Sequence, residues 1–168
     1  ISFFGYTMER IEIWLHIDEM DPLGQAWQTL QGLMAIGSGG LFGTGLGNSR
    51  QKYGFVSQPQ NDFIFTIVCE ELGFIGALAV ILLLVAIIVR IVYIGINARN
   101  DLGKYICIGI AAMFTFHLIE NVGMCIGVMP VTGIPLPFFS YGGSSLLTNL
   151  IAIGLVMNVK YRSKMINF

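Results

Sequence analysis

The sequence predicts an all-α integral membrane protein, a multi-pass helical bundle with a large extracytoplasmic loop that carries a short amphipathic helix. Its 168 residues are 55% hydrophobic and only 11% charged, whereas soluble domains carry about 25% charged residues. No charged residue occurs from Leu72 to Val89, from Tyr105 to Ile119, or from Asn121 to Val159. Stretches of this kind can cross roughly 30 Å of hydrocarbon when they extend into their flanks.

The first part of the chain is polar and rich in glycine. Residues 1–6 (ISFFGY) are typical of the end of a preceding membrane helix, and residues 7–62 are predicted to form the large loop. Because the first residue is Ile1 rather than Met, we interpret the chain as a C-terminal piece of a longer protein. Asp21-Pro22 favours a helix start. Apolar and small residues then recur at three-to-four spacing and indicate a short amphipathic helix, at the membrane surface or against the bundle, before a mobile glycine loop; they are Leu23, Trp27, Leu30, Met34 and Gly37.

The remaining chain alternates apolar stretches with turns. We predict membrane helices over residues 63–96, 102–128 and 146–159, followed by a cytoplasmic tail, 160–168. The segment 129–145 (MPVTGIPLPFFSYGGSS) is rich in proline and glycine. Its backbone must therefore pack inside protein or line a wet cavity. A transporter uses broken backbone in this way, and so does an enzyme that handles a lipid-linked substrate, so this pattern leaves both classes open.

The basic residues predict the orientation. Arg90, Arg99 and Lys104 flank the turn between the first two of these helices, and further basic residues follow the last helix. The positive-inside rule places both regions in the cytoplasm. The loop 7–62 and the segment 129–145 then share the extracytoplasmic face.

Charge and cysteine content exclude some classes. A net charge of −1 without runs of like charge provides no basic surface for nucleic acid. Cys69, Cys107 and Cys125 are odd in number, form no C-x-x-C pair and lie in or beside apolar stretches, so we interpret them as buried thiols.

Asp62 is the first candidate for chemistry, because it stands where the polar loop meets an apolar helix. Partial removal from water raises the pKa of such a carboxylate toward the range that suits a general base. The alternative is a helix cap, since Asp is a preferred N-cap residue. The partner residue of a capping box is absent, because Phe65 stands in its place.

Other ionisable residues lie at membrane depth. Glu70, Glu71 and Glu120 are functional candidates, since buried charge is costly there, or they form interhelical hydrogen bonds that hold the bundle. His117 and Glu120 share one helix face, but two ligands do not make a metal site, so no protein metal site is predicted. Arg50 and Lys52 follow the glycine loop and are either phosphate-binding cations or a solvated pair.

Three blocks of the chain together resemble the SEDS family (shape, elongation, division and sporulation proteins; FtsW, RodA and SpoVE). The first is DPLGQAWQTLQGLMAIGSGGLFGTGLGNSRQKYG, which looks like the family's large outer loop, and the second is NDFIFTIVCEELG. The third contains Asn121, Gly127, Pro130, Gly133 and the run FFSYGGSS from Phe138 to Ser145. The blocks occur in the family's order and cover nearly the whole chain.

The resemblance implies a peptidoglycan glycosyltransferase that polymerises lipid II outside the bacterial cytoplasmic membrane with a class B penicillin-binding protein. The essential loop aspartate of the family falls on Asp62, which would deprotonate the 4-hydroxyl of the acceptor sugar in an inverting displacement. Arg50 and Lys52, or a divalent cation such as Mg²⁺ or Mn²⁺, would stabilise the leaving diphosphate. The remaining expected site residues bind substrate (Ser140, Tyr141, Gly142 and Gly143) or support the site (Glu70, Glu71, Asn121 and Pro130).

The chain departs from the family pattern just before Asp62. Gln58 and Gln60 stand where the family usually has glutamate and histidine, so two titratable neighbours are replaced by amides. These two amides suggest a further function, an inactive scaffold for a penicillin-binding protein. A transporter of lipid-linked substrate is kept as a separate alternative. The uniformly apolar stretch from Ala77 to Val89 argues against a transport path through this part of the chain.

Overall fold

Four helices make up most of the computed structural model, which describes residues 25–45, 47 and 62–164. They are α1 (Gln25–Gly39), α2 (Ile64–Ile96), α3 (Asp101–Cys125) and α4 (Gly143–Lys164). No β-strand occurs within those residues, and α2, α3 and residues Gly143–Ser163 of α4 are long and apolar enough to cross a membrane. The prediction of an all-helical, multi-pass membrane protein is confirmed. The predictions for residues 1–6, for Asp21-Pro22 and for residues 165–168 lie outside the described residues.

The chain divides into two compact units. The first unit extends to Leu78 and includes Glu120–Ile134. The second unit comprises Ala79–Ile119 and the residues from Pro135 onward. Helices α2 and α3 contribute to both units.

Helix α1 belongs to the first unit and buries small residues. Gly32, Ala35 and Gly39 are buried, whereas Met34 is 59% exposed. The predicted apolar face through Leu30, Met34 and Gly37 is therefore wrong: Leu30 is half-buried and the other two residues are exposed. The physical reason is close approach, because a Cβ built at Gly32 would lie 3.6 Å from Thr66 Oγ1 and one at Gly39 would collide with the Cys69 carbonyl.

A break in α2 at Gly73 is joined to the glycine-rich turn that follows α1. Gly73 has φ 69° and ψ −168°, a conformation that essentially only glycine adopts. The turn donates to two carbonyls of the broken helix, from Thr44 N to Glu70 O (2.9 Å) and from Gly45 N to Glu71 O (3.1 Å). The turn also accepts hydrogen bonds from two amides of α2. Phe74 N donates to Gly40 O (2.9 Å), and Ile75 N donates to Leu41 O (3.3 Å).

We call these two segments, residues 39–45 and 69–75, the glycine clamp. The main-chain hydrogen bonds between the two segments, together with one from Thr44 Oγ1 to Glu70 O (3.1 Å), occupy main-chain groups near the break, as backbone at membrane depth requires. Close contact is essential, because a Cβ at Gly43 would collide with the Glu71 carbonyl. The glycine turn was predicted to be a mobile loop, but the structure holds it to α2.

Helix α3 ends earlier than the predicted boundary at residue 128. Gly127 has φ 75°, Gly127 N donates to Met124 O, and Val128 N donates to Gly123 O. This is a Schellman motif, in which glycine at the first position past the helix stops it.

Helix α4 differs from the predicted range 146–159 at both ends. It begins at Gly143, because Gly142 O accepts hydrogen bonds from Leu146 N (3.0 Å) and Ser145 Oγ (2.9 Å). It continues to Lys164, so basic residues that were predicted to form the tail extend the helix.

The second unit is held by an apolar core. Its buried residues come from all three long helices and are Ile91, Cys107, Ala111, Phe114, Ala152 and Val156. Phe138 packs on this core and meets the Phe114 ring edge-to-face, with centroids 5.6 Å apart. Phe138 has φ 65°, an unfavourable backbone conformation for a residue with a Cβ. Its contacts with the core offset the free-energy cost of that conformation. All three cysteines are buried free thiols, as predicted.

Candidate functional site

Asp62 lies in the turn directly before α2. The first amide groups of the helix, Thr66 N and Ile67 N, donate to Phe63 O at 3.1 and 3.4 Å. Phe63 thus occupies the N-cap position and Asp62 precedes it, so the interpretation of Asp62 as the N-cap residue is wrong. Phe63 and Phe65 are 2% and 4% exposed. These two buried rings anchor the start of α2, while Asp62 stays half-buried beside it.

Asn121 of α3 connects Asp62 to the proline- and glycine-rich segment. Its Nδ2 donates to Asp62 O at 3.0 Å and to Ile134 O at 2.8 Å. The side chain is fully buried, so these hydrogen bonds form away from water and are costly to lose. Asn121 therefore fixes the main chain on both sides of the candidate site.

Gly133 lies against the Asp62 carboxylate. A Cβ built at Gly133 would be 3.4 Å from Asp62 Oδ2 and 3.7 Å from its Cγ. Gly133 has φ 74°, which favours glycine. Gly133 was recognised only as part of the family motif and was missed as a site residue. Its proximity to Asp62 could not be read from the sequence, because the two residues are distant along the chain.

Glu120 and Thr132 join the end of α3 to the same segment. Thr132 Oγ1 donates to Glu120 Oε1 at 3.0 Å. His117 instead lies beside the Phe116 ring, with centroids 6.4 Å apart. Glu120 thus pairs with Thr132 rather than with His117. This hydrogen bond joins the end of α3 to the segment that contains Gly133.

Glu70 and Glu71 lie at the glycine clamp. Glu70 is 2% exposed and Glu71 is half-buried. Their main-chain carbonyls accept the hydrogen bonds from Thr44 and Gly45. These residues therefore take part in the contact between the α1 turn and α2, two turns beyond Asp62. Pro130 is half-buried between the end of α3 and Thr132.

The run Ser140–Gly143 belongs to the second unit and has local roles there. Ser140 Oγ accepts a hydrogen bond from Leu136 N at 2.7 Å, which closes the turn around Phe138. Gly142 precedes α4 and accepts its first hydrogen bond, while Gly143 starts the helix. Tyr141 is 79% exposed. Of the four, Tyr141 thus has the side chain most open to a ligand.

Several predicted positions lie outside the described residues: Arg50, Lys52, Gln58 and Gln60. Over residues 25–45, 47 and 62–164, no group of three or more His, Cys, Asp or Glu residues is arranged to hold a metal ion. The carboxylate of Asp62 lies at the start of α2 and against Gly133. Such a group can accept a proton from a substrate hydroxyl.

Curated relatives match most of the chain. The chain is 46% identical over 159 residues to stage V sporulation protein E of Bacillus subtilis. The matched region covers 95% of the chain and 43% of that protein. It is 45% identical over 158 residues to the peptidoglycan glycosyltransferase RodA of Treponema pallidum (94% and 36%). It is 39% identical over 155 residues to the probable peptidoglycan glycosyltransferase FtsW of Trichlorobacter lovleyi (92% and 40%). The chain thus spans less than half the length of these relatives.

A solved structure and a family model extend the likeness. A chain from a peptidoglycan synthase complex that coordinates polymerization and crosslinking matches with a TM-score of 0.77 and 29% identity, over 95% of this chain and 43% of that one. The model of the FtsW/RodA/SpoVE cell cycle proteins matches residues 1–165. The chain therefore belongs to the FtsW/RodA/SpoVE family of cell cycle proteins.

Proposed function

We propose that the protein to which this chain belongs is a peptidoglycan glycosyltransferase that polymerises lipid II into glycan strands during bacterial division, elongation or sporulation. The names of the RodA and FtsW relatives support this activity. The basic residues around Arg99 and after Val159 support a location in the cytoplasmic membrane with Asp62 on the extracytoplasmic side.

The placement of Asp62 is the observation that carries the proposal. Its main-chain carbonyl is bound by Asn121, and its carboxylate lies against Gly133. Asp62 is half-buried directly before the first turn of α2. A base fixed in this way can accept a proton without first being reoriented, which lowers the barrier of the step it serves.

The proposed step is a direct displacement. Asp62 takes the proton of the 4-hydroxyl group of the acceptor sugar while that oxygen forms a bond to the anomeric carbon of the donor. The bond between the anomeric carbon and the diphosphate oxygen breaks, and undecaprenyl diphosphate leaves with the electron pair. Attack from the face opposite the leaving group converts the α-linked donor into a β-1,4 product. Asp62 then returns its proton to solvent.

The leaving diphosphate requires positive charge. Arg50 and Lys52 are the proposed source, because guanidinium and ammonium groups bind phosphate oxygens. A Mg²⁺ or Mn²⁺ ion carried largely by the diphosphate itself is the alternative, since Mg²⁺ is often bound through one or two carboxylates plus substrate phosphates. The described residues provide no three-ligand site, so no step is assigned to a metal. A class B penicillin-binding protein is the proposed partner, consistent with the complex that contains the solved neighbour.

The test is polymerisation of purified lipid II by the full-length protein with its penicillin-binding partner. Asp62→Asn should abolish glycan synthesis while membrane insertion and thermal stability stay unchanged, because the amide keeps the shape but cannot act as the base. Asp101→Asn is the matched control, since Asp101 is an exposed aspartate at the start of α3 that is paired with Lys104. Full activity of the Asp62→Asn variant would refute the assignment.

The same preparations separate the other two functions. A transporter would move labelled lipid II across vesicle membranes without polymerising it. A scaffold would bind the penicillin-binding protein without forming glycan under any condition. Polymerisation by the wild type that depends on Asp62 excludes both as the main activity.

A further inference from the structure

A cleft of about 620 Å³ opens in the second unit. One wall is formed by the turn between α2 and α3, with Arg99 and Asn100, and by Gly103 in the first turn of α3. The other wall is the last part of α4, with Asn158 and Arg162. Gly103 allows the walls to meet closely at one edge, because a Cβ built there would lie 2.9 Å from Val159 Cγ1.

Two cationic side chains line the cleft. Arg99 and Arg162 line it, and the described lining includes neither Asp nor Glu. The nearest acid in sequence, Asp101, lies outside the lining and binds Lys104 at 3.0 Å. An anion in the cleft would therefore meet the guanidinium groups of two lining residues.

The start of α3 adds main-chain donors. Asn100 O accepts the hydrogen bond of Lys104 N at 3.2 Å, which makes Asn100 the N-cap residue. The amide groups of the first turn, from Asp101 to Gly103, then have no acceptor within their own helix. Helix starts of this kind favour negatively charged groups. Arg99 and Arg162 add two full positive charges to the partial charge of this helix start, in the same cleft.

Apolar and aromatic side chains lie at the same end of the unit. Leu102 and Leu155 line the cleft and are 72% and 48% exposed. Exposed tyrosines occur on all three long helices here: Tyr93, Tyr105 and Tyr161 are 57%, 71% and 62% exposed. Tyrosines concentrate at the level of the lipid headgroups. The cleft therefore combines cationic groups with apolar walls at headgroup level.

We propose that this cleft binds the phosphodiester headgroup of an anionic membrane phospholipid, with Arg99 and Arg162 on the phosphate and the acyl chains along Leu102 and Leu155. A free phosphate ion would use the guanidinium groups but would leave the exposed leucines without a partner, so the lipid is the better fit. Basic pockets between membrane helices bind such headgroups in other proteins. The inference depends on the second unit alone and not on glycosyltransferase activity.

The experiment measures phosphatidylglycerol binding to the full-length protein by native mass spectrometry from mixed micelles. We compare wild type with the double variant Arg99→Gln/Arg162→Gln. The matched control is Arg90→Gln/Lys160→Gln, which removes the same charge near the same helix ends but outside the cleft lining. The cleft variant should lose about thirtyfold in affinity, and the control less than about threefold. Phosphatidylcholine should bind weakly to all three proteins.

Each other result overturns the proposal. Equal losses in the two double variants would indicate diffuse attraction to the basic surface. Unchanged binding in the cleft variant would indicate that other parts of the full-length chain fill the cleft. Displacement of the lipid by millimolar inorganic phosphate would indicate a simple anion site. If the double variant fails to insert, Arg162→Lys replaces it; this change keeps the charge but loses the two-pronged guanidinium contact, and an affinity equal to wild type would contradict the assignment.

Discussion

The two units of the chain are stabilised in different ways. In the first unit, main chain packs on main chain: glycines let α1 approach α2, and directed hydrogen bonds join segments that are far apart in sequence. In the second unit, apolar side chains from three helices form the core around Phe114. Hydrogen bonds and close main-chain contacts tolerate little displacement, whereas apolar contacts have no directional requirement. The unit with the proposed catalytic carboxylate is therefore the one whose geometry is most tightly specified.

The largest effect is expected at the glycine clamp. Gly73→Ala should destabilise the full-length protein by about 4 kcal/mol, because a Cβ would collide with the main chain of Gly43 and the backbone conformation excludes other residues. Gly109→Ala is the control in the second unit: a Cβ there has open space around it, so the change should be neutral or slightly stabilising. The measurement is the free energy of unfolding in mixed micelles. Similar losses at both glycines would remove the contrast between the units.

A smaller loss of stability with a large loss of activity is expected at Asn121. Asn121→Ala leaves the Asp62 and Ile134 carbonyls without its amide donor, at a cost of about 2–3 kcal/mol. As Asp62 shifts, kcat for lipid II polymerisation should fall about 100-fold, with KM nearly unchanged.

Asn97→Ala is the control for Asn121, since Asn97 also donates to a main-chain carbonyl, at 2.7 Å, but is exposed. Its stability and kcat should both stay close to wild type. If Asn121→Ala instead raises KM and leaves kcat intact, Asn121 does not act by positioning Asp62.

The smallest effect is expected in the apolar core of the second unit. Phe114→Leu keeps an apolar side chain of similar size and loses the edge-to-face contact with Phe138, so it should cost about 1 kcal/mol. Polymerisation should be retained. Phe116→Leu, which changes a 57% exposed ring on the same helix, is the control and should leave the unfolding free energy nearly unchanged. A loss of activity in Phe114→Leu as large as in Asn121→Ala would show that the core is as geometrically demanding as the site.

Local patterns predicted some parts of the molecule well and others poorly. Long uncharged stretches predicted the membrane helices, because hydrocarbon excludes charge whatever the tertiary contacts are. The ends of α3 and α4 were misplaced by several residues, since the hydrophobic pattern continues past Gly127 and does not mark the cap at Gly142. The buried face of α1 was misassigned because hydrophobicity alone ignores how closely two main chains approach each other.

The sequence by itself determined the membrane character, the family and the position of Asp62 at the boundary between loop and helix. Those features depend on composition and on motifs of adjacent residues. Only the tertiary structure decided what surrounds Asp62: the amide of Asn121, 59 residues away, and the glycine at position 133. Such contacts join residues separated by whole helices, and their geometry depends on how the helices pack rather than on the residues next to them in the chain.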